Sequence, residues 1–317
     1  MAPHDGQIEL LPTDPPFSVR HRFADVNGIR LHYVAADPPQ GIAKRGLCLA
    51  LHGFPEFWYS WRNQIPALAN AGFHVLAPDL RGYNLSDKPQ SVSAYCIKAL
   101  LSDVLGLISH AGAERATIIG HDWGGFIAWH LAMRHPQVVE KLIVLNAPHP
   151  AAFRRELQSW RQMLKSWYML FFQAPGLAEW VLGAGDFEWI DRVFRQQPVN
   201  TGAFSPEDVR RYQKALAKPG ALTAGLNYYR AFRYPSHRAA RVDAPIRMPV
   251  LLLWGERDAY ATPRLTEGLD AWVPDLRVVR FPDVSHWIQN DAPERVNRLI
   301  IEFLHDLPAP QLSYCGR

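Results

Sequence analysis

The chain of 317 residues has few cysteines, no long apolar run and no block of like charge. Cys48, Cys96 and Cys315 lack the spacing of a metal site and are too few for a disulfide framework. No run approaches the roughly 18 apolar residues of a membrane span. The 34 basic and 30 acidic residues are interspersed, which excludes a nucleic-acid partner. Residues 1–18 lack the apolar segment of a secretory signal, so a cytoplasmic location is predicted.

The hydrophobic content of 48% is ample for a sizeable core. Short apolar runs, which are typical of buried strands, alternate with helical patterns. The runs are Leu47–Leu51, Val75–Pro78, Thr117–Gly120, Leu142–Leu145, Val250–Trp254 and Leu276–Phe281. The helical patterns are Trp61–Ala71, Ala94–Ala111, Gly125–His135 and Glu294–Leu304. This alternation predicts an α/β fold with a mostly parallel central sheet, preceded by a hairpin around Asn27 and Gly28.

The alternation stops between Pro150 and Pro245, where the pattern is helical and rich in aromatic residues. We therefore predict a core of residues 20–149 and 246–310, interrupted by a helical cap of residues 150–245. Packing inside the cap is expected for most of five cap aromatics, which are Trp160, Trp167, Phe171, Trp180 and Trp189.

An apolar run ends in Gly120-His121-Asp122-Trp123-Gly124. Its outline is the sharp strand-to-helix elbow that presents a nucleophile, but with aspartate where esterases carry serine. A carboxylate attacks without prior deprotonation and forms an ester on itself, which suits displacement at a saturated carbon. Asp122 is therefore the candidate nucleophile, and a capping or salt-bridge role is the alternative.

A nucleophile of this kind needs a base and a group that orients the base. Asp258 follows the run ending at Trp254, and His286 follows the run ending at Phe281. The order nucleophile, acid, histidine is that of the α/β hydrolases, and the carboxyl ends of parallel strands meet at one edge. Glu256 and Asp283 are rival acids. Asn146, at the end of another strand, lacks the charge for this role.

The segment His52-Gly53-Phe54-Pro55-Glu56 follows the first buried run. A turn there aims the N–H of Phe54 at Asp122, and the N–H of Trp123 supplies a second donor. These two donors would form an oxyanion hole, unless the segment is an ordinary loop.

These motifs, together with Asp79-Leu80-Arg81-Gly82-Tyr83 and Ser285-His286-Trp287, resemble those of the α/β-hydrolase-fold epoxide hydrolases from about Phe23 to Leu304. The resemblance implies opening of an epoxide by the elbow aspartate, and hydrolysis of the resulting ester by water that the histidine activates. It requires no metal or other cofactor, and a monomer or homodimer is expected.

The resemblance also implies two cap tyrosines that hydrogen-bond the epoxide oxygen. Tyr168 and Tyr229 occupy the matching positions. Adjacent helical residues point about 100° apart, so Tyr228 and Tyr229 should not both face one site. Further substrate contacts are expected from four residues, namely His52, Pro55, Trp123 and Trp287.

Two other functions remain open from the residues alone. A haloalkane dehalogenase uses the same aspartyl ester, but many resembling this chain have Asn in place of Phe54 and need no paired tyrosines. A small-molecule receptor on the same fold would lack turnover, although the triad here is complete. A serine esterase is disfavoured because Asp122 occupies the elbow.

Overall fold

A single sheet lies at the centre of the computed structural model, which describes residues 19–234 and 244–306. Its strands in the described residues are β1 (Arg20–Val26), β2 (Ile29–Ala36), β3 (Gly46–Leu51), β4 (Phe73–Pro78), β5 (Ala116–His121), β6 (Val139–Leu145), β7 (Val250–Gly255) and β8 (Leu276–Phe281). They lie in the order β1-β2-β4-β3-β5-β6-β7-β8. Strand β2 is antiparallel to both neighbours, and the later strands pair in parallel.

Helices cover the sheet, which explains why β3, β5 and β7 are almost entirely buried and apolar. The core helices are α1 (Gln64–Asn70), α2 (Ile97–His110), α3 (Trp123–Arg134), α10 (Ile288–Asp291) and α11 (Pro293–Leu304). The predicted α/β class is therefore confirmed. The helix expected from Trp61 begins later, because Trp58–Trp61 form a 3-10 turn.

Helices also occupy the described residues between β6 and β7. They are α4 (Pro150–Glu156), α5 (Trp160–Lys165), α6 (Trp167–Phe171), α7 (Leu177–Gln196), α8 (Pro206–Leu216) and α9 (Ala221–Arg230). Helix α7 is broken at residues 184–187, where the backbone leaves the helical conformation. Residues 235–243 and 307–310 of the predicted domains, and Cys315, lie outside the described residues. The division into core and cap stays a prediction.

The expectation that the cap tryptophans pack inside the cap is wrong for three of them. Trp160, Trp167 and Trp180 are 66%, 64% and 75% exposed. The inward face of α5 is polar instead, because the Gln162 amide donates to the carbonyl of Tyr260 and accepts from the N–H of Thr262. This anchoring turns the apolar side of the helix outward.

The sheet brings the candidate residues to one edge. The loops that follow β3, β5, β7 and β8 carry Phe54, Asp122, Asp258 and His286, respectively. Because these strands run parallel, their carboxyl ends lie together, facing the helices between β6 and β7.

Candidate active site

Asp122 lies at the tip of the turn between β5 and α3. Its φ of 49° lies in the left-handed region, which costs a non-glycine residue energy unless its surroundings hold it there. The flanking glycines allow the turn. A Cβ on Gly124 would lie 2.0 Å from the carbonyl oxygen of Leu51, and one on Gly120 would lie 2.5 Å from that of Gly124. The small-x-Asp-x-Gly pattern is thus a steric requirement of the elbow.

Backbone N–H groups hold the carboxylate of Asp122. The N–H of Phe54 donates to Oδ1 over 2.9 Å, and the N–H of Trp123 also bonds this carboxylate. Helix α3 begins directly after Asp122, so the positive end of its dipole faces the carboxyl group. Burial raises the pKa of Asp122, and these donors, with the neighbouring His286 and His121, lower it without fully offsetting the rise.

His286 lies between two carboxylates. Its Nδ1 donates to Oδ2 of Asp258 over 2.7 Å, which leaves Nε2 facing Oδ2 of Asp122 at 3.7 Å. Burial lowers the pKa of His286, but the charges of Asp258 and Asp122 outweigh it, and the net shift is upward. The ring is therefore held in one tautomer, with its basic nitrogen towards the elbow.

Asp258, and not either rival acid, pairs with His286. Its Oδ1 accepts the N–H groups of Tyr260 and Ala261, while Asn146 donates to its Oδ2 over 2.7 Å. Burial raises the pKa of Asp258, but the His286 charge and these hydrogen bonds lower it further, so the net shift is downward. Asp283 lies on the surface, paired with Arg295.

Two buried residues, Glu56 and His121, connect the segments around the elbow. The sequence analysis assigned no role to either side chain. Glu56 accepts the N–H of Gly53 over 2.8 Å and the Nδ1 proton of His121 over 2.8 Å. The Nε2 of His121 faces the carbonyl oxygen of His286 at 2.9 Å, an atom that only accepts. Burial raises the pKa of Glu56, but His121 lowers it more, so Glu56 is ionised. The ring of His121 therefore joins the carboxylate of Glu56 to the backbone of His286.

We expect Glu56→Gln to destabilise the protein by about 1–3 kcal/mol, because the buried N–H donors of Gly53 and His121 lose their charged acceptor. Urea unfolding measures the loss. The matched control is Glu188→Gln, which breaks an exposed ion pair with Arg192 and should cost less than about 1 kcal/mol. Equal stability of the two variants would contradict the structural role of the Glu56 carboxylate.

The two predicted tyrosines face the elbow from the helices above it. Tyr168 on α6 and Tyr229 on α9 have ring centroids 5.9 Å apart and line the same cavities as Asp122. Burial, with the nearby Asp122 charge, raises the pKa of both phenols well above its usual value, so both stay protonated. Tyr228 points elsewhere and donates to the carbonyl of Arg81 over 2.8 Å.

Two cavities meet at this point. The larger, of about 260 Å³, is lined mainly by apolar side chains, including Phe54, Pro55 and Trp189. The smaller, of about 80 Å³, extends towards Trp123 and Phe232. Both are lined by the same five residues at their junction: Asp122, Tyr168, Tyr229, Tyr260 and His286. A small molecule with two arms fits this arrangement.

The comparisons with known proteins agree with this geometry. A family model described as the alpha/beta hydrolase fold matches residues 49–293. Epoxide hydrolase 3 of Xenopus tropicalis is 40% identical, over 88% of this chain and 76% of that protein. The chain belongs to the epoxide hydrolases of the α/β-hydrolase fold. The resemblance seen in the sequence is confirmed.

A further relative and a solved structure are also similar to this chain. The AB hydrolase superfamily protein YfhM of Bacillus subtilis is 42% identical, over 90% of this chain and 98% of that protein. The crystal structure of the Bacillus megaterium epoxide hydrolase in complex with an inhibitor has a TM-score of 0.81 and 33% identity. That comparison covers 90% of this chain and 100% of the other.

Two of the four expected substrate contacts are wrong for this family member. His52 is fully buried, with Nε2 accepting the N–H of Leu80 and Nδ1 donating to the carbonyl of Gly53, so it fixes the loop instead. Trp287 is buried behind His286 and lines neither cavity. Pro55 and Trp123 do line the cavities.

Tyr260 is a site residue that the sequence analysis missed. It lines both cavities, and its hydroxyl donates to Gln197 on the loop after α7, over 2.8 Å. Its ring lies edge-on to those of Tyr168 and His286. Its position two residues after Asp258, at the catalytic edge of the sheet, is the signal that could have identified it.

Among residues 19–234 and 244–306, no group of histidine, cysteine and acidic side chains is arranged to hold a metal ion. Over the same ranges, no helix is long and apolar enough to cross a membrane.

Proposed function

We propose that the protein hydrolyses epoxides to vicinal diols through a covalent ester on Asp122. The observation that carries this proposal is the pair of protonated tyrosines, Tyr168 and Tyr229, facing a carboxylate across one cavity. An epoxide needs both: a nucleophile on carbon and donors for the oxygen that leaves. The names of the relatives, several of which are epoxide hydrolases, support the same activity.

In the first step, Oδ2 of Asp122 attacks an epoxide carbon and the carbon–oxygen bond of the ring breaks. Oδ1 accepts the N–H of Phe54, whereas Oδ2 faces Nε2 of His286, so Oδ2 is the oxygen that we assign to the attack. The departing oxygen takes a hydrogen bond or a proton from Tyr168 and Tyr229. The product of this step is a hydroxyalkyl ester on Asp122.

In the second step, His286 removes a proton from water, and the water oxygen attacks the carbonyl carbon of the ester. The negative charge passes to Oδ1, where the N–H groups of Phe54 and Trp123 and the N-terminus of α3 stabilise it. Collapse of this intermediate breaks the bond between Cγ and Oδ2. The departing oxygen takes the proton that His286 holds, and the diol leaves. The new carboxyl group loses its proton, which restores the phenol that protonated the epoxide oxygen, and Asp122 is regenerated as a carboxylate.

The paired cavities favour substrates with an apolar substituent on each side of the epoxide ring. The junction of the cavities places the ring beside Asp122, and each arm then enters one cavity. The larger arm fits the cavity of about 260 Å³, which is lined by Phe171, Phe172 and Leu182.

The tyrosines distinguish epoxide opening from dehalogenation, because a halide leaves without a proton. We expect the double change Tyr168→Phe and Tyr229→Phe to lower kcat/KM for styrene oxide by at least about 100-fold. Tyr228→Phe is the matched control, since its hydroxyl bonds only Arg81 among the described residues, and it should retain most activity. Diol formation and bromide release from a bromoalkane are measured side by side. Bromide release without diol would overturn the proposal in favour of a dehalogenase, and neither product would favour a receptor.

A further inference from the structure

Helices α5 and α6 present an apolar stripe to solvent. Its residues follow the spacing of one helical face across the short turn at Ser166, and all of them are exposed: Trp160, Met163, Leu164, Trp167 and Leu170. Surface helices normally show the reverse pattern, with the apolar stripe facing the core. An exposed apolar patch of this kind marks an interaction site.

The first turns of α7 carry a second stripe, formed by Leu177, Trp180 and Val181, which are also exposed. Trp167 from the first stripe and Val181 from the second both line the larger cavity, so the two stripes flank its mouth. We call these eight residues together the apolar cap face.

Basic side chains border the apolar cap face. Arg154 and Arg161 are exposed, and no acidic side chain of the described residues pairs with either. Arg161 lies over the ring of Trp160. The acidic residues of segment 150–181, Glu156 and Glu179, are already held by arginines of the protein. Segment 150–181, which carries the face, therefore has a net positive charge, with four basic and two acidic side chains.

We propose that the apolar cap face docks onto the surface of an anionic phospholipid bilayer. Tryptophan, leucine and methionine beside arginine match the composition of helices that lie in the membrane interface. A second copy of the chain fits less well. A twofold dimer joins two identical faces, so it would bring the unpaired arginines of both copies to one interface without a counter-charge.

Docking in this orientation turns the mouth of the larger cavity towards the lipid. Apolar molecules concentrate in the bilayer, and this cavity is lined mainly by apolar side chains. The membrane would then supply the substrate directly to the site. This last step rests on the proposed function, whereas the docking itself does not.

The test is sedimentation of the full chain with vesicles of phosphatidylcholine and phosphatidylglycerol, compared with vesicles of phosphatidylcholine alone, in the absence of substrate. We expect binding to the anionic vesicles and a blue shift of tryptophan emission. The triple change Trp160→Ser, Leu164→Ser and Trp180→Ser should weaken binding by at least about tenfold. Arg161→Gln should weaken it roughly fivefold, because one basic group at an anionic surface contributes about that factor.

The matched control replaces three exposed apolar residues elsewhere, as Ile42→Ser, Val199→Ser and Val278→Ser, and should bind vesicles like the original chain. None of the residues in either triple lines the cavities, and far-UV circular dichroism with thermal unfolding checks, independently of activity, that each variant is folded. No vesicle binding, or equal binding by both triple variants, overturns the proposal. A dimer that the face triple dissociates, with no vesicle binding, assigns the face to a second copy. Vesicle binding without epoxide turnover would refute only the proposed function.

Discussion

During a single turnover in H₂¹⁸O, heavy oxygen is expected in the carboxyl group of Asp122 and not in the diol. The reason is geometric: Oδ2 faces the cavity and becomes part of the product, while water attacks Cγ and replaces it. Mass spectrometry of the peptide that contains Asp122 measures the label. Asp122→Ala should lower turnover by at least about four orders of magnitude, because the attacking atom is lost.

The matched control for this substitution is Asp283→Ala. Asp283 lies on the loop that leads to His286, but it is exposed and pairs with Arg295, so its loss should leave turnover nearly unchanged. Label in the diol after one turnover, with none in Asp122, would contradict the ester. It would mean that water activated by His286 attacks the epoxide carbon directly.

The elbow could be predicted from the sequence because the residue types that it requires follow from short-range contacts in the turn. Gly120 and Gly124 are required by contacts within a few ångströms, and the buried strand before them reads as an unbroken apolar run. The same holds for Asp258 and His286, each of which follows a parallel strand at its carboxyl end. Parallel strands bring distant loops to one edge, so sequence order alone was enough to group these residues.

The surroundings of the triad were less accessible to sequence reasoning. The hydrogen bond between His121 and Glu56 depends on segments from distant parts of the chain meeting beside the elbow, and neither residue shows a periodic pattern. Burial of the His52 ring is likewise a consequence of Leu80 lying against it. Such contacts depend on the packing of residues that are distant in the sequence, and this packing cannot be inferred from a single sequence.

The sequence also could not show which face of the short helices over the site is buried. Helices α5 and α6 are only six and five residues long, too short for a hydrophobic period to reveal which face is buried. Their orientation follows from the polar anchor at Gln162. The prediction that Tyr229 faces the site came from the resemblance to the family, and the angle between adjacent helical residues excluded only that Tyr228 faces it as well. The regular helix α9 does turn Tyr228 away, towards the carbonyl of Arg81.

His286→Gln is expected to trap the ester on Asp122. Glutamine cannot accept the proton of water, whereas attack by Oδ2 on the epoxide needs no base at this position. Hydrolysis of the ester should therefore slow by about 10²–10⁴-fold while its formation continues. Intact-mass measurement after addition of styrene oxide should show one added substrate mass per chain. An unmodified chain that consumes no substrate would contradict the separation of the two steps.

The charges around His286 determine at which step of the reaction its neutral, basic form is present. In the resting site, the carboxylates of Asp258 and Asp122 together raise the pKa of His286. Formation of the ester removes the charge of Asp122, so the pKa of His286 falls at the moment when a neutral imidazole is needed. Raising the pH should therefore speed hydrolysis of the ester until His286 is deprotonated, and the wild-type rate should then level off. In the His286→Gln chain this acid-side dependence should disappear from ester hydrolysis, and its persistence would assign the base to another group.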